Sequence, residues 1–283
     1  MGKKIELVDI VRGQDFLREI HRAASLSHEH KRETGFNVYC DEQLSQPYVN
    51  RAVLGHDTSI ETDMTQEVKH EPQNGFHIPM YNYRLLGVHF HPPNSNLRPS
   101  APDIKESLNA RRVNVNLRES DSQERDVYGD KEKTKLIGYE IDFPNPVSMV
   151  GLVRDKPENI ELLVYQGTTE DPISFDRFSK FVADYCKRLY GSEKRDPDDY
   201  LLFDFPTRFG SAKRVVDFLN ESNYLQAVAV KIRDGGLSDK DLEKLRKFQL
   251  IQTRFFPNET YHSYGDWMDS NSIQLPRYKV LND

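Results

Sequence analysis

The spacing of apolar and polar positions divides the chain into short elements. Residues 5–11 read as a first strand. Gln14 or Asp15 stands where a helix cap belongs. Phe16, Leu17, Ile20, Ala23, Ala24 and Leu26 then recur at helical spacing, which predicts one apolar face. Residues 35–40 and 48–54 read as further strands, and residues 55–79 are polar, broken by Pro72, Gly75 and Pro79. Tyr83-Arg84-Leu85-Leu86-Gly87-Val88 is an apolar strand that runs straight into two histidines, His89 and His91.

Beyond Asp103 the pattern predicts a helix carrying Ile104 and Leu108, and an alternating strand over residues 113–117. Residues 118–135 are dense in charge and read as an excursion from the core. Three strands follow, over 136–143, 147–153 and 160–165, and are expected to complete the sheet of a first domain. Residues 174–190 form a strongly amphipathic helix, and Phe175, Phe178, Phe181 and Tyr185 at helical spacing read as core. A strand over 200–205, a helix over 211–219 and a strand over 225–232 come next. The turn Gly235-Gly236 then leads to a capping-box-like Ser238-Asp239-Lys240-Asp241, a helix with Leu242, Leu245 and Phe248, and a strand over 250–256. This alternation predicts a first domain over residues 1–170 and a smaller C-terminal α/β unit over 171–283. It contains no Gly-rich phosphate loop and no internal repeat.

Composition narrows the class. The 283 residues are 37% hydrophobic and 30% charged, as in a soluble globular protein. A net charge of −6 argues against general nucleic-acid binding. Two cysteines, Cys40 and Cys186, make no disulfide framework and favour a reducing compartment. No stretch resembles a signal peptide or reaches membrane-spanning length, so the expected location is cytoplasmic.

The chemistry concentrates at His89-Phe90-His91-Pro92. In an extended chain, residues two apart project to the same side, so His89 and His91 can aim both imidazoles at one point. Pro92 stops the ladder, Pro99 and Pro102 stiffen the return, and Asp103 arrives at a helix start. Two histidines and a carboxylate suit a catalytic zinc with a fourth position left open. His28-Glu29-His30 has the same spacing, but it lies in a charged run at a helix end with no Pro, Ser or Asp in register. His56, His70, His77 and His262 show no recognisable spacing. Cys40 has no partnered histidine and reads as a small buried thiol.

His-x-His-Pro, seven residues, Ser, two residues, Asp resembles the JAMM (MPN+) metalloprotease motif. Glu33-Thr34-Gly35-Phe36-Asn37-Val38-Tyr39 stands where that family carries its upstream glutamate. Two positions depart from the family pattern. Phe90 replaces a small polar residue between the histidines, and Phe36 replaces the second glycine of the glutamate element. The resemblance covers about residues 1–170. It implies an α/β fold of the JAMM/MPN (cytidine-deaminase-like) type, a mixed β-sheet flanked by helices. It further implies Zn2+ held by His89, His91 and Asp103. Glu33 would act as general base and then acid without binding the metal, and Glu29 and Glu42 are its rivals. Ser100 would donate to the oxyanion, or else cap the helix that carries Asp103.

The implied reaction is hydrolysis of an isopeptide or peptide bond at the C-terminus of a ubiquitin-like modifier or small carrier protein with a Gly-Gly-type tail. The residues after Asp41 and those at 118–135 would grip that substrate, or be plain surface loops. Two other readings stand beside it. One is an MPN-type protein-binding scaffold of weak or no activity. The other is a metal hydrolase whose C-terminal unit selects a different substrate.

Overall fold

The computed structural model describes residues 4–40, 47–55, 83–93, 95, 97–108, 139–142, 144–153, 156–168, 173–190, 212–233 and 235–255. The chain opens with two helices, α1 (Leu7–Arg12) and α2 (Gln14–His30). The strand expected over 5–11 is therefore a helix. Leu7, Ile10 and Val11 fit helical spacing as well as they fit an extended run, and Leu7, Val8, Ile10 and Val11 are all buried. Helix α2 buries Phe16, Ile20, Ala23 and Ala24 as expected, with Glu19 and Ser27 beside them; Leu17 and Leu26 flank that face half-buried. Its N-cap is Gly13, not Gln14 or Asp15, and no side chain caps it.

Strands β1 (Thr34–Cys40), β2 (Tyr48–Val49) and β3 (Val53–Leu54) follow, so the single strand expected over 48–54 is two short ones, both paired with β1. Then come β4 (Tyr83–Phe90), a helix over 101–108 (α3), β5 (Tyr139–Asp142), β6 (Val147–Val153) and β7 (Ile160–Gly167). The remainder is α4 (Phe175–Tyr190), α5 (Ala212–Glu221), β8 (Leu225–Arg233), β9 (Gly236–Leu237), α6 (Asp239–Leu245) and β10 (Gln252–Phe255). The expected strands over 113–117 and 200–205, the charged residues 118–135 and nearly all of 55–79 lie outside the described residues.

The protein is mixed α/β. Its main sheet runs β2-β1-β4-β6-β7-β8-β9, with β3 also on β1. It is a mixed sheet: β4 and β6 are parallel, and the other pairs are antiparallel. Two consequences differ from expectation. First, β5 stays out of this sheet and pairs with β10 instead. Second, the sheet crosses residue 170. Strand β8 runs against β7 over eight positions, Ile160↔Ile232 through Gly167↔Leu225, and so covers the ladder groups on that side of β7.

Helices cover both faces. Helices α1, α2 and α6 lie over one face, whose core includes Phe16, Ile20, Phe36, Val88, Phe90 and Leu245. Helices α3, α4 and α5 lie over the other, with Ile104, Val150, Leu163, Tyr185 and Phe218. Phe181 and Tyr185 of α4 are thus core, as their spacing predicts, and Phe178 packs half-buried against them. Among the described residues no helix is long and apolar enough to cross a membrane.

Candidate metal centre

Strand alternation places the histidines. Phe90 faces the α2 side and is fully buried, which contributes about 1.5–3 kcal/mol. It fits because its partner across β4 and β6 is Gly151, where a Cβ would come within 2.6 Å of the Phe90 ring. His89 must then face the α3 side, level with Val150. Phe36 also faces the α2 side, edge-on to Phe16 at 5.7 Å between ring centroids. Both departures from the family motif therefore sit in the core beneath the site, not in it.

The neighbouring strand makes room. Gly35 pairs with His89, and a Cβ there would meet the Val88 carbonyl oxygen and lie 3.2 Å from the Cα and Cβ of His89. Only glycine lets β1 sit this close. His91, one residue past β4, is fixed through its backbone. Its N–H donates to the Gly151 carbonyl at 3.0 Å, and its carbonyl accepts from Ser27 Oγ at 3.0 Å.

Asp103 is fixed by the start of α3. The Ser100 N–H donates to Asp103 Oδ2 at 2.7 Å, and the Asp103 N–H donates back to Ser100 Oγ at 3.3 Å. This is a reciprocal capping box with Asp in the third place. The Ser100 hydroxyl also donates to Asp103 Oδ2, at 2.7 Å. The capping role of Ser100 is thus the one visible here, and its hydroxyl proton is engaged by the carboxylate. The loop before Ser100 is held from the C-terminal part of the chain, where the buried Tyr185 hydroxyl of α4 donates to the Pro99 carbonyl at 2.9 Å.

These three supports bring the ligand atoms of His89, His91 and Asp103 within 4.8 Å of one another, a group that could hold a metal ion. His89 Nε2 is 3.3 Å from His91 Nε2 and 3.5 Å from Asp103 Oδ2. Two atoms bound at 2.0–2.1 Å to a tetrahedral ion stand about 3.4 Å apart. The donor set and its spacing therefore fit such an ion.

Glu33 immediately precedes β1, and its carbonyl accepts from the Gly55 N–H at 2.7 Å. Glu33 stands one residue before Thr34, which pairs with Phe90 of β4. Its carboxylate acts on His89 electrostatically. Glu29 lies exposed in the last turn of α2, and Glu42 is outside the described residues.

The electrostatics follow from crowding. Burial alone would lower the His89 pKa. The Asp103 carboxylate outweighs it, with smaller pulls from Glu33 and Glu106, and the pKa is pushed up to about 9. Burial would likewise raise Asp103, but His89, His91 and the Ser100 hydroxyl hold its carboxyl well below the usual range. Without a metal the cluster is thus an imidazolium against a carboxylate, and a dication can take the place of the proton.

Beside His89 and Asp103 is a cavity that the sequence did not reveal. It measures about 70 Å3 and is lined by Asn37, Arg84, Gly87, Ser148, Glu106 and Tyr165, together with His89 and Asp103. Asn37, Ser148 and Tyr165 become neighbours only through the register of four strands, so no local spacing announces them. Burial, then the charges of Asp103 and Glu106, keep the Tyr165 phenol well above its usual pKa and hence protonated.

Comparison with family models, curated proteins and solved structures finds no match to this chain. The family resemblance therefore rests on the sequence motif alone.

Proposed function

We propose that this protein is a cytoplasmic zinc-dependent peptidase of the JAMM type, with the JAMM/MPN fold. Its reaction would be hydrolysis of an isopeptide or peptide bond at the Gly-Gly-type tail of a ubiquitin-like modifier or small carrier protein. The observation that carries the reading is the convergence of the ligand atoms of His89, His91 and Asp103 within 4.8 Å of one another, with the Glu33 charge acting on His89.

His89, His91 and Asp103 would hold the zinc, which when bound makes hydroxide available near neutral pH and leaves one position open. Glu33 takes a proton from the attacking water and passes it to the leaving amine, a service worth about 100- to 10,000-fold in rate. Ser100 holds Asp103 in place. To serve an oxyanion as well, its hydroxyl would have to turn away from that carboxylate.

The test is a panel of ubiquitin-like and carrier-protein fusions incubated with zinc-loaded protein and with Glu33→Gln. The expected result is cleavage after the Gly-Gly tail by the parent, with the variant keeping its zinc and losing at least 100-fold in kcat. A variant that cleaves as well as the parent removes Glu33 from the mechanism. Tight binding of one modifier with no cleavage by the parent would favour the scaffold reading.

A further inference from the structure

The metal reading leaves one buried polar group unexplained. Tyr165 is fully buried, and among the described residues no side chain or backbone group lies at hydrogen-bond geometry to its hydroxyl; Ser148, its partner across β6 and β7, is a polar influence on it that lowers its pKa. An unpaired buried hydroxyl costs about 1–3 kcal/mol, so such a group calls for a partner. Tyr165 lines the cavity beside His89 and Asp103, and that cavity is large enough for ordered water, which needs at least ~10–15 Å3.

His89 lines the same cavity. His89 turns Nε2 toward His91 and Asp103, which leaves Nδ1 over, and Nδ1 has no hydrogen-bond partner among the described residues. A histidine that binds a metal through one nitrogen normally donates its other N–H to a carboxylate, a carbonyl or a water. Among the described residues no protein atom supplies that acceptor. The cavity walls offer what a bridging water needs: the Tyr165 hydroxyl as donor, and Ser148, Asn37 and Glu106 as polar neighbours.

We propose that the cavity is the ordered-water site of the metal centre. A water held by the Tyr165 hydroxyl accepts the Nδ1 proton of His89, which makes Tyr165 a positioning residue for that ligand. The water would fix the tautomer that leaves Nε2 free for the metal. This rests on the metal reading above, and the test separates the two.

The test titrates chelator-stripped protein with Co2+ against a competing chelator, following the ligand-field spectrum. The parent is expected to bind one Co2+ per chain. Tyr165→Phe removes only the hydroxyl, and should bind Co2+ about 10- to 100-fold more weakly, with an altered spectrum and an unchanged metal-free melting temperature. Ser148→Val fills the cavity while leaving Tyr165 in place, and should weaken binding in the same range. Equal affinity in the parent and in Tyr165→Phe overturns the water site while leaving the metal centre intact. Should Tyr165→Phe fail to fold, equal affinity in Ser148→Val overturns it instead. A parent that binds no Co2+ overturns the metal reading and this inference with it.

Discussion

The chain contains His-x-His twice, and the two copies behave differently. His89 and His91 bracket the end of a strand, and their rings converge with Nε2 atoms 3.3 Å apart. His28 and His30 occupy the last turn of α2, where residues two apart are turned about 200° around the axis. His30 is exposed, and His28 is half-buried with Nδ1 unpartnered. No metal-holding group includes either of them among the described residues. Residue spacing alone therefore says little about a metal site. The period of the element that carries the spacing decides it, together with what fixes the third ligand.

The comparison breaks most sharply by deletion. His89→Ala or Asp103→Ala should abolish metal binding, taking zinc from one per chain to none by elemental analysis. His28→Ala and His30→Ala should leave the zinc content at the parental value. Retained zinc in Asp103→Ala would remove the carboxylate from the site.

The next largest effect is steric. Gly35→Ala forces a Cβ into the Val88 carbonyl and against His89, so β1 and β4 must part. The expected cost is about 3 kcal/mol in denaturant unfolding, with zinc lost as well. Exposed Ser25, in the middle of α2 and away from the strand pair, gives the control, since Ser25→Ala should change stability by under ~0.5 kcal/mol.

The pH dependence sharpens the comparison without a large change in structure. In metal-free protein the folded state holds the His89 proton up to pH about 9, above the unfolded value of about 6.5. That contribution to stability is complete below about pH 6.5 and is lost as pH rises to 9. Asp103, depressed, contributes above the usual carboxylate range and loses its contribution in acid. Chelator-treated protein should therefore melt lower at pH 9 than at pH 6.5, and His89→Gln should flatten that slope. Zinc uptake at neutral pH should release protons, measurable by calorimetry in buffers of different ionisation enthalpy.

The smallest effect is at the cap. Ser100→Ala removes the hydroxyl that joins Asp103 to the start of α3, and should cost about 1 kcal/mol of stability. It should weaken zinc without abolishing it, because the Ser100 N–H still holds the carboxylate.

What could be read in advance follows from how local each signal is. The convergence of His89, His91 and Asp103 was legible because alternation along β4 and the Ser-x-x-Asp cap both act within a few residues. Residues 5–11 were misread because a short apolar run fits either period, and packing beneath α2 and α6 decides it. The pairing of β5 with β10 joins segments over a hundred residues apart, which no local spacing encodes. The same holds for Tyr165 and for the Tyr185 bond to Pro99, by which α4 reaches back to the loop that carries Ser100 and Asp103.

The most direct test is anomalous diffraction at the zinc absorption edge, on crystals of protein purified without chelator. One peak within bonding distance of His89 Nε2, His91 Nε2 and the Asp103 carboxylate is the predicted result. A crystal with no peak there, or with its metal at His28 and His30 instead, would contradict the assignment.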